Sequence, residues 1–276
     1  MIIASINWNI DPEIIKIFGI FPIRYYSILF ATGLILGYQI VKRIYVKENE
    51  SIEKLDKLAI FVFIGTLAGA RLGHCFFYDP EYYFKNPLEI ILPFKWQLGV
   101  SFEFIGYQGL ASHGGAIGVL IAIIIYCRKY NTKFLWVVDR IAIATPLTGA
   151  FIRIGNFMNS EIIGEPTNSN YGVVFQQVDL LPRHPAQLYE AFAYMIIFVI
   201  LLWIHSKHRS KKNGYIFSLF LIMLFGARFL IEFFKINQSD FESGMIINMG
   251  QILSIPFILI GILLMIWKRN QSDSYA

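Results

Sequence analysis

The chain has 276 residues, of which 56% are hydrophobic and only 16% are charged, and its formal net charge is +5. A soluble globular domain carries about 25% charged residues and cannot bury this much apolar surface, so the composition excludes an ordinary soluble protein. The positive charge does not indicate a nucleic-acid groove, because the basic residues lie in short clusters between apolar runs, as is typical of membrane proteins.

Seven apolar runs are long enough to cross a membrane, which takes about 20 mostly apolar residues in a helix. In chain order they lie at 23–43, 57–78, 108–128, 136–157, 185–206, 214–234 and 248–268. The fourth run contains Pro146, which is tolerated in a membrane because neighbouring helices satisfy the freed backbone groups. We therefore predict an all-α integral membrane protein with about seven transmembrane helices, forming a single membrane domain over residues 1–276.

Lysine and arginine are divided unevenly between the two sets of connections. One set, with the segment after the last run, holds Lys42, Arg43, Lys47, Lys54, Lys57, Arg128, Lys129, Lys133, Lys207, Arg209, Lys211, Lys212, Lys268 and Arg269. The opposite set holds Lys16, Lys85, Lys95, Arg183 and Lys235. Because cytoplasmic connections are enriched in these residues, we predict that the N-terminus is outside and the C-terminus is cytoplasmic.

Two of the predicted outer connections are long, whereas the inner ones are short. Residues 79–107 carry many aromatic residues, and tyrosine and tryptophan prefer the membrane interface, so this segment is predicted to be an interfacial arm. Residues 158–183 are polar and rich in turn-forming residues, which predicts a small extracytoplasmic cap. We therefore expect the function to face outward.

Ionisable residues in the apolar runs are costly and need a reason. The arginines in question are Arg24, Arg71, Arg140, Arg153 and Arg228. Arg140 lies beside Asp139 near an inner end, which favours snorkelling or a local ion pair. The other four fall in predicted outer halves, as do His113, Glu190 and Glu232. Cations from separate helices at one depth indicate an anion site, and the expected anion is a lipid phosphate.

Helical spacing groups some of these residues. Arg228 and Glu232 are four apart and share a face, so they can pair directly, either within a site or as an ion pair that only holds helices together. Arg153 and Asn156 are three apart and also share a face. The polar run after Arg153 consists of Asn156, Asn159 and Glu161.

His113 lies in the sequence Ser112-His113-Gly114-Gly115, where glycines allow a helix or a lipid headgroup to approach the backbone. A lone helical histidine is more often structural, but its depth makes this one a candidate functional residue. Tyr26 opens the first run at the same level and is either an interfacial anchor or a catalytic residue. Cys75 and Cys127 lie in apolar runs and form neither a disulfide framework nor a metal-ligand pattern.

Five segments carry a family resemblance over nearly the whole chain, from about Pro22 to Met265. The most specific is RIGNFMNSEIIG at 153–164, and the others are SHGG at 112–115, RHPAQLYE at 183–190, RFLIEF at 228–233 and MGQILS at 249–254. In this order they resemble the bacterial prolipoprotein diacylglyceryl transferases. The chain departs from the family pattern at Ile152 and Ser27, where glycine is usual or common, and at Arg24, where many relatives have histidine.

The resemblance implies a transferase that moves the diacylglyceryl group of phosphatidylglycerol onto the lipobox cysteine thiol of prolipoproteins. The product is a thioether, glycerol phosphate is released, and the reaction is the first step of bacterial lipoprotein maturation. The implied partners are phosphatidylglycerol, prolipoprotein signal peptides and membrane lipids, with no nucleic acid, in the bacterial cytoplasmic (inner) membrane. No cofactor or metal ion is implied, because the sequence shows no ligand cluster.

The resemblance also implies roles for individual residues. Arg153 and Arg228 would bind the phosphate, and Asn156 would donate a hydrogen bond to it. Glu232 would orient Arg228, and Glu161 would hold the start of the cap. The predicted catalytic residues are His113, Arg153, Arg228 and Tyr26. The predicted substrate-binding residues are Arg71, Gly114, Gly115, Arg153, Asn156, Asn159, Glu161, Gly164, Arg228 and Glu232.

His113 is the candidate base for the acceptor thiol, and the alternative is a thiol polarised by arginine without a dedicated base. Tyr26 would position the headgroup.

Two other classes of protein fit part of the pattern. An anion or lipid transporter also places arginines in helices, but it favours a midplane site and broken helices in corresponding positions of a repeat. No repeat is evident here, and the polar residues lie on one side. A structural membrane protein would not need several arginines and a histidine at one depth. Transfer of lipid to a peptide with a lipobox cysteine would distinguish the enzyme from both.

Overall fold

The computed structural model describes residues 6–17, 21–91, 94–97, 100–104, 109–169, 171–207, 212–237, 242 and 244–273. The chain divides into two compact units, the first comprising Met1–Ile44 with Val138–Ala276 and the second comprising Tyr45–Val137. Within the described residues, six helices are long and apolar enough to cross a membrane. The protein is therefore a helical multi-pass membrane protein, as predicted.

Short strands and long helices follow one another along the chain. They are β1 (Ile6–Trp8), β2 (Glu13–Ile17), β3 (Phe21–Arg24), α1 (Tyr25–Lys47), α2 (Ile52–Phe77), α3 (Pro80–Lys85), α4 (Leu88–Ile91), β4 (Phe94–Gln97), β5 (Val100–Phe104), α5 (Ser112–Lys129), α6 (Phe134–Met158), β6 (Val173–Phe175), β7 (Pro182–Arg183), α7 (Ala186–Lys207), α8 (Tyr215–Ile231), a 3-10 turn (Glu232–Phe234) and α9 (Met249–Asp273).

Each predicted span overlaps one long helix in the described part of the chain. Helix α6 continues through Pro146, so the run that contains charged residues and a proline is one uninterrupted helix. The predicted span 108–128 corresponds to α5, which has 18 residues and is not among the six membrane-crossing helices. Residue 108 lies outside the described residues. The count of seven and the orientation of the termini remain predictions.

The all-α prediction omitted three small sheets. In the first, β1 pairs in parallel with β6, and β6 pairs antiparallel with β7. The others are the antiparallel hairpins β2–β3 and β4–β5. Strands of only two to five residues give a much weaker sequence pattern than apolar runs of helical length, which explains why they were not predicted.

The segment between α6 and α7 is fixed to the end of α6 by aromatic packing. Phe157, at the end of α6, lies 4.3 Å from the Trp8 ring and 5.6 Å from the Phe175 ring, measured between centroids. Phe157 and Phe175 are buried together with Val173. The segment 158–183, which is predicted to be a cap, is thus part of the first unit and packs against the end of α6; its residue 170 lies outside the described residues.

The second unit depends on close packing between α2 and α5. A Cβ atom added to Gly114 would collide with the carbonyl oxygen of Gly69, and one added to Gly65 would lie 2.7 Å from the carbonyl oxygen of Gly118. Only glycines permit helices to approach this closely, which is the packing mode of small residues four apart in membrane helices.

The predicted arm at 79–107 contains α3, α4, β4 and β5, and its residues 92–93, 98–99 and 105–107 lie outside the described residues. Arg71 of α2 holds this segment: its Nε donates to the carbonyl oxygen of Ile90 at 3.1 Å, and its guanidinium lies over the Tyr83 ring. Tyr82 donates to Glu89 at 2.6 Å, and this bond, with burial, raises the pKa of Tyr82 to about 12.

Candidate functional site: a buried charge cluster in the first unit

An ion pair joins the end of α6 to the beginning of α7. The Nε of Arg153 lies 2.8 Å from Oε2 of Glu190, and the Glu190 side chain is completely buried. Tyr194, one turn further along α7, donates to Oε1 of Glu190 at 3.3 Å. Arg153 and Glu190 both lie near the segment that connects α6 to α7. Glu190 therefore neutralises Arg153 in a place where solvent cannot do so.

A lysine extends this pair to a third segment of the chain. Lys235 follows the 3-10 turn after α8, and its side chain is only 2% exposed. Its Nζ lies 3.0 Å from Oε1 of Glu190 and 3.0 Å from Oε2 of Glu232. An ammonium group buried to this degree needs counter-charges, and the two carboxylates supply them. Arg153, Glu190, Lys235 and Glu232 together form a buried cluster with no net charge.

A chain of amide hydrogen bonds leads from Arg153 into the connection after α6. The Nη1 of Arg153 donates to Oδ1 of Asn156 at 3.1 Å, and Nδ2 of Asn156 donates to Oε2 of Glu161 at 3.1 Å. Asn159 donates to the other oxygen of Glu161 at 3.1 Å, and Gln187 of α7 donates to its backbone carbonyl at 2.6 Å. The predicted run of polar residues is thus brought together, and it orients the Arg153 guanidinium.

Tyr26, in the first turn of α1, lies beside this network. Its hydroxyl is within electrostatic range of Glu161 and Arg153. A Cβ atom on Gly155 would lie 2.8 Å from Cδ2 of Tyr26, so the tyrosine ring packs against the bare backbone of α6. This contact explains why glycine stands between Arg153 and Asn156. The structure therefore places Tyr26 next to the polar face of α6.

Arg153 and Lys235 each contact a carboxylate, whereas Arg228 has no such contact within the described residues. Its Nε atom is buried and has no hydrogen-bond partner within the described residues. It also lies within electrostatic range of Tyr194, which places it near the buried cluster. Arg228 and Glu232 can pair by their spacing, but within the described residues the Glu232 carboxylate bonds to Lys235 and forms no ion pair with Arg228. Arg228 therefore carries a charge that no described carboxylate neutralises by direct contact.

The beginning of α9 fixes the position of Glu232. Asn248 and Gln251 form a reciprocal cap: Oδ1 of Asn248 accepts the Gln251 N–H at 3.0 Å, and Oε1 of Gln251 accepts the Asn248 N–H at 3.1 Å. Gln251 also donates to the carbonyl oxygen of Phe229 at 3.3 Å. A Cβ atom on Gly250 would collide with the Glu232 carboxylate. The absence of a side chain at Gly250 thus leaves the space that the Glu232 carboxylate occupies.

Gly164 closes the signature segment through its backbone. Its N–H donates to the carbonyl oxygen of His184 at 3.0 Å, and its own carbonyl oxygen accepts from Arg183 at 3.2 Å. A Cβ atom here would collide with the same His184 carbonyl. Arg183 also bonds to Asp179, and this contact lowers the pKa of the Asp179 carboxyl below its ordinary value. Gly164 thus has a packing role in the cap.

The remaining predicted site residues belong to the second unit. His113 is exposed in the first turn of α5. Gly114 is covered by the backbone of α2, whereas a Cβ atom on Gly115 would meet no atom closer than 3.6 Å. Arg71 is buried and donates to backbone carbonyls of α4, so its guanidinium serves the arm. The close-approach explanation of the glycines therefore applies to the contact between helices at Gly114.

Sequence reasoning missed three members of the first-unit site. Lys235 was counted only as a basic residue of a connection, and Tyr194 and Gln187 were not singled out. The signal for Lys235 was its spacing of three from Glu232, which brings two opposite charges together.

Within the described residues, no group of three or more histidine, cysteine, aspartate or glutamate side chains could hold a metal ion.

Comparison with known proteins identifies close relatives over the whole site. The family described as prolipoprotein diacylglyceryl transferase matches residues 12–267. A phosphatidylglycerol–prolipoprotein diacylglyceryl transferase of Tolumonas auensis is 51% identical over 96% of this chain and 98% of its own length. Proteins of the same name are 48% identical in Bacteroides fragilis, over 99% of this chain and 98% of theirs, and 39% identical in Chloroherpeton thalassium, over 98% and 97%.

Proposed function

The chain belongs to the prolipoprotein diacylglyceryl transferase family and transfers a diacylglyceryl group to prolipoproteins, and we propose that the Arg153–Arg228 region of the first unit binds the phosphate of the donor lipid. The donor is phosphatidylglycerol, as the names of the relatives state. The acceptor is the thiol of the lipobox cysteine in the signal peptide.

The reaction exchanges a carbon–oxygen bond for a carbon–sulfur bond. The thiolate attacks the glycerol carbon that carries the phosphate ester, a thioether bond forms, and the carbon–oxygen bond breaks. The electron pair of that bond leaves with the phosphate oxygen as glycerol phosphate, and the thiol proton passes to a base. Two needs follow: a thiolate, because the thiol itself is a poor nucleophile, and a cation that stabilises the charge on the leaving phosphate.

The free charge of Arg228 is the observation that carries this proposal. A buried guanidinium nitrogen without a partner is costly, and a phosphate oxygen would satisfy it. The charge of Arg153 is already neutralised by Glu190, and its Nη1 is held by Asn156. Arg228 is therefore the main electrostatic anchor for the phosphate, and Arg153 is a second, pre-oriented donor.

The other residues of the site orient the Arg153 guanidinium or contact the substrates. Asn156 and Glu161 fix the plane of the Arg153 guanidinium, and a fixed donor loses little entropy when the phosphate arrives. Tyr26 lies beside this donor set and would contact the headgroup. His113 remains our candidate for the base that removes the thiol proton, since it is exposed and histidine is the residue that most often acts as a general base.

The membrane arrangement belongs to the same proposal. We propose seven spans with the N-terminus outside, since lysine and arginine are concentrated in the connections on the side of the C-terminus. The segment 158–183 would then form an extracytoplasmic cap, and the Arg153–Arg228 region would lie on its side of the bacterial inner membrane. A lipid headgroup and a lipobox cysteine both reach that depth.

A transfer assay with arginine variants tests the proposal. The purified protein is mixed with phosphatidylglycerol in detergent micelles and a peptide with a lipobox cysteine, and the mass gain of the peptide is followed. Arg228→Met should raise the mole fraction of phosphatidylglycerol needed for half-maximal rate by roughly ten- to hundredfold, as expected for a lost charge-assisted hydrogen bond. Arg228→Lys should fall between Met and wild type, because it keeps the charge without the planar fork.

A matched control comes from an arginine outside the cluster. Arg128 is exposed in the last turn of α5, so Arg128→Met should leave the phosphatidylglycerol requirement unchanged. An Arg228→Met protein with the wild-type requirement would refute the phosphate-binding role of this region.

A further inference from the structure

Lys235 is the cation that bonds to the Glu232 carboxylate within the described residues. Glu232 ends α8 in a helical conformation, four residues after Arg228, which is the spacing at which an arginine and a glutamate pair directly. The structure does not use that pairing. Instead, Oε2 of Glu232 bonds to Nζ of Lys235 at 3.0 Å, while Gly250 leaves the space in which the carboxylate lies.

The buried charges of the cluster balance without Arg228. Glu190 and Glu232 contribute two buried negative charges, and Arg153 and Lys235 contribute two positive ones. Glu161 adds another carboxylate near Arg153, but its side chain is exposed, so solvent screens its charge. Arg228 is left outside the balance, with a buried nitrogen that has no partner in the described chain.

We propose that Lys235 is a positioning residue for the transfer reaction: by holding Glu232, it keeps Arg228 free to bind the phosphate of the donor lipid. This inference rests on the proposed function, since it concerns the same phosphate. Lys235 itself does not touch the lipid, because its ammonium group is buried between the two carboxylates.

Removing the lysine should redirect the glutamate. In Lys235→Met, Glu232 loses its hydrogen-bonded cation, and Arg228, four residues earlier on the same helical face, becomes an alternative partner. The new pair would compete with the phosphate, so the phosphatidylglycerol requirement should rise by roughly tenfold. Adding Glu232→Gln removes the competitor and restores the charge balance of the cluster, so the double variant should lose most of that increase.

The test is a double-mutant cycle with the mixed-micelle transfer assay. It compares wild type, Lys235→Met, Lys235→Arg, Glu232→Gln and the double variant Lys235→Met/Glu232→Gln. Lys235→Arg keeps a cation between the carboxylates and should retain a requirement within about twofold of wild type. The double variant should lie within about twofold of Glu232→Gln alone. Lys16→Met is the control, since Lys16 is 60% exposed and lies outside the cluster.

The cycle separates positioning from a purely structural role. If Lys235 only supports the fold, the double variant will be as impaired as Lys235→Met, and the proposal is overturned. An unchanged requirement in Lys235→Met also overturns it. Where Lys235→Met does not fold, the comparison of the charge-balanced double variant with Glu232→Gln still decides. A normal Arg228→Met would remove the proposed function itself, whereas an impaired Arg228→Met with a normal Lys235→Met would remove this inference alone.

Discussion

Arg153 and Glu190 form a buried ion pair, with Nε of the arginine 2.8 Å from Oε2 of the glutamate. The pair joins α6 to α7 beside the segment that connects them, and Lys235 bonds to the other oxygen of Glu190. A carboxylate enclosed by two cations cannot be exchanged for a neutral group without leaving charge uncompensated. The site is therefore held together by the same contacts that set its electrostatic field.

Glu190→Gln should weaken both the fold and the reaction. The amide keeps the shape of the side chain but leaves Arg153 without its counter-charge, and an uncompensated buried charge costs about 3–5 kcal/mol. We expect a clearly lower unfolding temperature in detergent micelles and a large loss of transfer rate. Glu53→Gln, in the first turn of α2, is the exposed control, since its side chain is 75% exposed. Unchanged unfolding of Glu190→Gln would show that the pair does not stabilise the protein.

The helices could be predicted from sequence because each long helix coincides with an apolar run. A run of about 20 apolar residues has few alternatives to a membrane helix. The sheet of β1, β6 and β7 could not be predicted this way, since Ile6 pairs with Val173 from the far part of the chain. Short strands depend on such long-range contacts, which hydropathy does not record.

Arg153 and Asn156 contact each other, as their helical spacing of three predicts, whereas Asn159 and Glu161 lie beyond the end of α6 and join them through hydrogen bonds to the Glu161 carboxylate. The same rule makes Arg228 a possible partner of Glu232, yet in the structure Glu232 pairs with Lys235. Spacing identifies possible partners but not competitors, and Lys235 lies beyond the end of α8, where the chain turns back toward Glu190. The positions of competing charges are a property of the folded chain.

The two adjacent glycines of α5 should respond differently to alanine. Gly114→Ala would press a methyl group into the backbone of α2, and overpacking of this kind costs about 1–3 kcal/mol. At Gly115 the nearest atom would be 3.6 Å away, an ordinary contact, so Gly115→Ala should unfold at or above the wild-type temperature. Equal unfolding temperatures for the two variants would contradict the close packing of α2 against α5.

Asp139 should matter for stability and not for lipid binding. Its carboxylate accepts the N–H groups of Gly214 and Phe217 at 2.7 Å each, which satisfies two donors at the start of α8. Asp139→Ala should lower the free energy of unfolding by about 2–3 kcal/mol, as expected for lost bonds to a charged group. The phosphatidylglycerol requirement of the folded fraction should stay at the wild-type value. A changed requirement with normal stability would place Asp139 in the site.

Acid should loosen the segment between α6 and α7 through Asp179. Hydrogen bonds from Arg183 depress the pKa of this carboxyl in the folded protein, so the folded state favours the ionised form. The resulting stabilisation is present above the unfolded pKa of about 3.9 and is lost as the pH falls through the lower folded value. Protease cleavage of the segment should therefore increase in strong acid in wild type.

Asp179→Asn isolates this contribution, because the amide cannot ionise. We expect the variant to be cleaved faster than wild type at neutral pH, where the wild-type carboxylate is charged and bound to Arg183. Their rates should converge below the folded pKa, where both side chains are neutral. An acid-stable protease such as pepsin is suitable for the low range. A difference that persists unchanged through acid would mean that the Asp179–Arg183 contact is not what holds this segment, since only its charge depends on pH there.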